Sequence, residues 1–253
     1  MRLFLHELRV QQLLFWRNRE AAFFSFLFPI LLLVLLGSVY GDEPIEGVKA
    51  ATYLLVGLLG YGLAATAFAS LAITLVVRRE AGLLKRVRGT PLGPATYLAA
   101  VIGSMVIVIA LQVIAQLLIG VYLLGSDWPA APGSFSFAIL LGAAAFAALG
   151  VAVTALVRTA EGSSAVVNAI YLPMAFISGA FFSTHEMPRF LEAISEVLPL
   201  TYLLDVIRST FVNGEGLGSS GGALAAVGVW GVFGLVIAVR MFRWEPREGM
   251  TGA

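Results

Sequence analysis

The chain contains no cysteine, only two histidines, His6 and His185, and only two lysines, Lys49 and Lys85. Without cysteine there is no disulfide framework, no thiolate metal site and no thiol nucleophile. His185-Glu186 opens a zinc-protease pattern, but Arg189 stands where the second histidine would be, so that metal site fails. With His6 assigned to a terminus, a Ser–His dyad inside a membrane has no candidate pair. A phosphate-binding loop needs Gly-x4-Gly-Lys-Ser/Thr, and neither lysine sits in one. Charge is scarce as well: 12% of the 253 residues are charged, about half of the ~25% usual in soluble domains. Too little polar surface remains to cover a globule in water. What the chain has instead is apolar, 59% hydrophobic with a mean hydropathy of +0.93.

About 20 apolar residues are needed to cross ~30 Å of hydrocarbon as a helix. Stretches free of Asp, Glu, Lys, Arg and His run over Ala21–Gly41, Ala50–Val77, Gly89–Ser126, Trp128–Val157, Gly162–Thr184 and Gly216–Val239. The third and fourth begin with loop punctuation, Gly89-Thr90-Pro91-Leu92-Gly93-Pro94 and Pro129–Ser134. The expectation is an all-α integral membrane protein with six transmembrane helices, over 21–40, 51–77, 95–124, 135–157, 164–183 and 221–240. Both termini then fall on one side. That side collects Arg2, Arg9, Arg17, Arg19, Arg78, Arg79, Lys85, Arg86, Arg88, Arg158, Arg240, Arg243 and Arg247, which leaves Lys49, Arg189 and Arg208 for the other. Basic residues accumulate on the cytoplasmic side, so the termini are expected in the cytoplasm of a cell (plasma) membrane. The far side is acidic, with Asp42, Glu43, Glu46, Asp127, Glu186, Glu192, Glu196, Asp205 and Glu215.

Ala21–Tyr40 reads as a retained first span, because the region before it is long for a secretory leader and contains acids. Residues 1–20 form a candidate interfacial helix. Phe4, Leu8 and Phe15 make one apolar stripe and Leu3, Val10 and Leu14 another, with Glu7, Gln11 and Asn18 between. Such a helix suits a surface position with lipid on one side and protein on the other. Residues 184–217 mix apolar groups with acids and with Pro188 and Pro199, and too few are continuous to span. Short re-entrant helices in the outer leaflet fit that pattern.

Proton and ion relays place acids or histidine inside spans, and the centres of these six spans have none. The polar residues there are Gln112, Gln116, Asn168 and hydroxyls. Thr66, Ser70 and Thr74 continue a ridge from Gly62 at four-residue steps, which serves either close helix packing or substrate contact. Asn168 and Tyr171 either line a path or hydrogen-bond between helices.

The richest segment is 78–94. It runs Arg78-Arg79-Glu80-Ala81-Gly82-Leu83-Leu84-Lys85-Arg86-Val87-Arg88-Gly89-Thr90-Pro91-Leu92-Gly93-Pro94. Leu83, Leu84 and Val87 form an apolar edge among bases, Gly89 and Pro91 stop a helix, and Gly93-Pro94 restarts one. Anchoring to lipid phosphates explains the charge but not the order of acid, glycine, leucine, base and Thr-Pro. This segment resembles the loop after span two in permeases of the ABC type-2 transporter family, with Glu80, Gly82, Leu84, Lys85, Arg86, Arg88, Thr90, Pro91 and Leu92 in the matching places. A second similarity runs from Leu172-Pro173 through Ser178-Gly179-Ala180-Phe181-Phe182 and Met187-Pro188 to Pro199-Leu200-Thr201-Tyr202 and Arg208.

The resemblance implies a permease subunit that is not itself an enzyme. It implies a dimer with a second copy or a close relative, and two copies of a separate ABC ATPase that holds ATP and Mg. No cofactor is expected in this chain, and no nucleic-acid partner. A coupling helix formed by Glu80, Gly82, Leu83, Leu84, Lys85, Arg86, Val87, Arg88, Thr90 and Pro91 would dock on the ATPase. By the same analogy spans two and five flank the path, which nominates Thr66, Ser70, Thr74, Asn168, Tyr171, Phe176 and Phe181. The alternatives are a scaffold that binds partner helices without transport, and a secondary carrier.

Overall fold

A computed structural model describes residues 1–40, 44–45, 47–184 and 187–245. Asp42, Glu43, Glu46, Glu186 and Arg247 of the charge count, and His185 of the zinc-like pattern, lie outside the described residues. The helices are α1 (Arg2–Arg17), α2 (Phe23–Tyr40), α3 (Ala50–Glu80), α4 (Leu83–Arg88), α5 (Pro94–Leu124), α6 (Pro132–Val153), α7 (Ser163–Ile177), α8 (Arg189–Ser195), α9 (Pro199–Phe211) and α10 (Gly221–Met241). A helical turn at Arg19–Ala22 leads into α2. Two-residue strands β1 (Pro44–Ile45) and β2 (Val48–Lys49) pair antiparallel. Among the described residues everything else that is regular is helical, and the chain is an all-α membrane protein.

Among the described residues five helices, α2, α3, α5, α6 and α10, are long and apolar enough to cross a bilayer. The expected fifth span over 164–183 is shorter. α7 has 15 residues, about 22 Å at 1.5 Å per residue, against ~30 Å of hydrocarbon. It stops because Gly179 takes a φ of +81°, which a continuing helix does not allow. The chain from Ser178 onward completes that stretch as turns packed on α3. Similarly, α6 ends at Val153 rather than 157, and carbonyls of the turn that follows it accept from Arg79.

α3 is the axis of the bundle, buried along nearly its whole length. α2, α5, α6 and α9 pack along it, and α7 joins near its C-terminal end. Its glycines point at different neighbours. A Cβ on Gly57 would stand 1.8 Å from the Ala180 carbonyl oxygen, and one on Gly62 1.6 Å from Gln112 Nε2. Small residues of this kind let backbones approach where no hydrophobic force drives helices together. A π-helical segment, Ala65–Ser70, interrupts α3, and the absent side chain of Gly150 on α6 admits its Ala67 and Phe68 carbonyls.

α1 lies on α5. Gln12 Nε2 donates to the Ser104 carbonyl at 2.8 Å and to its hydroxyl at 3.0 Å. Phe4 and Leu8 sit over Gly103, while Leu3, Leu13 and Leu14 are exposed. α9 buries Leu200, Leu203, Leu204, Ile207 and Phe211 against α3, α6 and α10. Its terminal carbonyls, on Phe211 and Thr210, accept from Ala130 N and Ala131 N at 2.9 and 3.0 Å.

The two ends of the bundle differ in charge. The turn after α3, the end of α6 and the tail after α10 gather Arg78, Arg79, Lys85, Arg86, Arg88, Arg158 and Arg243, with Arg88 pairing to Glu245 at 3.8 Å. The opposite end carries β1–β2, the α5–α6 connection and α8, with Lys49 pairing to Asp127 at 3.6 Å.

Candidate functional site

The segment 78–94 folds as a short projecting helix. α3 ends at Glu80, and Gly82 turns the chain with a φ of +70° that disfavours any side chain. α4 then runs one and a half turns to Arg88. Thr90 Oγ1 donates to the Val87 carbonyl at 2.8 Å, and Pro94 opens α5 at a first-turn position. Lys85, Arg86, Arg88, Thr90 and Pro91 are exposed. The apolar edge divides. Leu83 is 40% exposed, whereas Leu84 is fully buried and Val87 nearly so, both within this chain's own core. Of the three apolar residues expected to face a partner, this chain exposes Leu83 and packs Leu84 and Val87 into its own core, because a helix of this length shows the bundle one side and solvent the other.

Arg79 is the residue whose place the charge pattern does not reveal. Counted as one base among many, it is only 2% exposed. Its Nη1 donates to the Thr154 carbonyl at 3.0 Å and its Nη2 to the Val157 carbonyl at 2.8 Å, and Nε pairs with Glu80 Oε1 at 2.8 Å. A cation on the orphan carbonyls at a helix C-terminus is favoured by both hydrogen bonding and the helix dipole. The fork fits two carbonyls and one carboxylate at once, which an ammonium would not. Glu80 thus orients Arg79, and Arg79 ties the root of α4 to the end of α6. The only sequence signal is an acid directly after a base at the end of an apolar run, and that pattern does not by itself indicate burial.

The residues nominated for a path fall into separate groups. Thr66, Ser70 and Thr74 face a cleft between α1, α3 and α5, and Thr66 Oγ1 donates to Gln112 Oε1 at 3.4 Å. Tyr171 and Phe181 belong to an aromatic cluster on another side of α3. Tyr171 OH donates to the Tyr61 carbonyl at 3.0 Å, and Tyr61 meets Tyr171 and Phe181 at ring separations of 5.4 and 5.3 Å. Phe176 stacks on Phe181 at 5.0 Å and is half exposed. Asn168 is partly exposed on α7. Within one chain these residues do not enclose a single conduit.

At the opposite end the second stretch of family-like residues closes on itself. The Gly179 carbonyl accepts from Tyr53 OH at 3.2 Å and from Arg208 Nη2, and the Arg208 guanidinium lies 4.3 Å above the Tyr53 ring. Gly57 leaves the space that the Ala180 carbonyl fills. The turn after α7 is thereby fastened to both α3 and α9. Tyr53 and Gly57 belong to an apolar run that gives no sign of this in sequence.

The ABC-2 type transporter family matches residues 2–212. Nodulation protein J of Rhizobium leguminosarum bv. viciae is 36% identical over 69 residues, 27% of this chain and 27% of that protein. Nodulation protein J of Rhizobium meliloti (strain 1021) is 37% identical over 70 residues, 28% of this chain and 27% of that protein. The alignments thus span about a quarter of the length of these curated relatives. The family match, in contrast, covers more than four-fifths of the chain, and with it the projecting α4, the axial α3 and the fastened turn after α7: the chain belongs to the ABC-2 type transporter family.

Proposed function

We propose that the chain is the permease subunit of an ATP-driven exporter, acting as a dimer of two permease chains joined to two copies of a separate ABC ATPase that holds ATP and Mg. Family membership supports the permease assignment. The observation that carries coupling is the pairing of an exposed α4 with the buried Arg79 clasp. Force applied at Leu83, Lys85 and Arg86 reaches α3 through Gly82 and α6 through the Thr154 and Val157 carbonyls. Exposed side chains on α7, among them Ile170 and Phe176, leave a face for a second permease chain. A path closed by two copies fits the separation of the nominated residues within one. The basic end is the cytoplasmic one, and the span centres, free of acidic side chains, favour hydrophobic or amphipathic cargo.

The test is co-purification of an ABC ATPase with the wild type and with Leu83→Ala, at matched membrane levels, together with substrate-stimulated ATP hydrolysis. Weakening of both on truncating Leu83 is expected, since few anchors dominate such interfaces. A stable complex with neither an ATPase nor transport activity would instead favour a scaffold. Transport that collapses with the proton gradient alone would favour a secondary carrier.

A further inference from the structure

The cleft between α1, α3 and α5 has a volume of about 410 Å³, within the ~300–1,000 Å³ of sites that hold small molecules. Its α3 wall carries Thr66, Ser70, Thr74 and Arg78 at successive steps of four. From Arg78 at the basic end to Thr66 is about 18 Å at 1.5 Å per residue. The facing walls are mixed, with Gln11, Leu14, Phe15 and Asn18 on the α1 side and Val101, Ser104, Met105 and Val108 from α5.

Two features of the polar wall require explanation. The hydroxyls of Ser70 and Thr74 make no hydrogen bond to protein among the described residues. Arg78 donates one N–H to Tyr97 OH at 2.8 Å and pairs with no carboxylate among the described residues. Glu7, on the α1 side, accepts instead from Gln11 at 2.5 Å. A guanidinium has five donors, so most of those of Arg78 remain for an anion, and phosphate is the anion its fork suits best. Within the chain Arg78 has the hydroxyl and the ring of Tyr97 as partners, and the Ser70 and Thr74 hydroxyls open onto the same partly apolar cleft.

We infer that this cleft binds one anionic membrane lipid within each subunit. The phosphate sits at Arg78, the ester carbonyls accept from Thr74 and Ser70, and an acyl chain runs along Val101, Met105 and Val108. The basic end of the protein draws such lipids from the adjoining leaflet. The assignment gives Ser70 and Thr74 to a resident lipid rather than to the export path, and it does not rest on ATPase coupling.

The absence of cysteine makes the test direct, because Ser70→Cys introduces a single thiol. The full chain is placed in nanodiscs of phosphatidylcholine alone or with one part in three phosphatidylglycerol, and the rate of maleimide modification is measured. Phosphatidylglycerol is expected to slow the reaction roughly fivefold, as mass action gives for a largely occupied site. Adding Arg78→Gln should remove the difference, while the exposed Ser219→Cys should react equally in both lipids. Equal rates for Ser70→Cys in both lipids, or protection that survives Arg78→Gln, would overturn the inference. So would equal protection by inorganic phosphate in phosphatidylcholine alone, which would assign the cleft to a free anion.

Discussion

α3 and α10 are both apolar enough to cross a membrane, yet one is the axis of the molecule and the other its edge. α3 is buried along most of its length, while α10 exposes Val229, Val232, Phe233, Leu235, Val236 and Val239 and packs on α6 mainly through Gly231 and Gly234. The edge helix is the more uniformly aliphatic. In lipid, apolar side chains gain nothing by turning inward, so position is set by close backbone approach and by polar groups in need of partners. α3 has both on several sides, in Gly57, Gly62, Tyr53 and Thr66. On α10 the contacts occupy one stripe.

The sharpest way to break this contrast is to add bulk. Gly57→Leu should abolish a stable fold, because even a Cβ there meets the Ala180 backbone, and the strain exceeds the ~1–3 kcal/mol usual for overpacking. Gly228→Leu on α10, where a Cβ meets nothing within 4 Å, should leave thermal stability within about 0.5 kcal/mol. Equal melting behaviour of the two variants in detergent would refute the axial role of α3.

The next contrast lies between two arginines nine residues apart at the basic end. Arg79→Ala removes the clasp on Thr154 and Val157 and strands Glu80, for an expected loss of roughly 3 kcal/mol. Arg88→Gln severs only the exposed pair with Glu245, worth well under ~1 kcal/mol. Thermal unfolding followed by tryptophan fluorescence separates them.

Leu84→Ala and Leu83→Ala divide the coupling helix in the same way. Truncating the fully buried Leu84 should cost roughly 2–3 kcal/mol of stability through a cavity. Truncating the exposed Leu83 should change stability by no more than about 0.5 kcal/mol while weakening ATPase association by roughly 2 kcal/mol. Binding of purified ATPase to each variant at a temperature well below unfolding reads the second effect alone. The smallest expected change is topological bookkeeping with no energetic cost. Tags at residue 1, at Gly89 and after the C-terminus should be reached only from the cytoplasm, and tags at Ser134 or Gly214 only from outside.

The amino-acid sequence alone determined the class of the molecule. Composition forces the chain into a bilayer, and charge-free runs locate its long helices. Gly82, Gly89 and Gly93-Pro94 bound α4, because these signals depend on local backbone preference and on the length of an apolar run. The ordered motif after α3 was legible for the same reason and led to the family. Tertiary structure alone decided which of two adjacent arginines is buried, since Arg78 and Arg79 differ only by the 100° that separates consecutive residues on a helix. It also decided that Leu84 faces the core and Leu83 does not, that α7 stops at a glycine pressed toward α3, and that the hydroxyl ridge of α3 lines a cleft. Each of these depends on what stands opposite a side chain, and in a chain this apolar, hydropathy carries no information about the opposite partner.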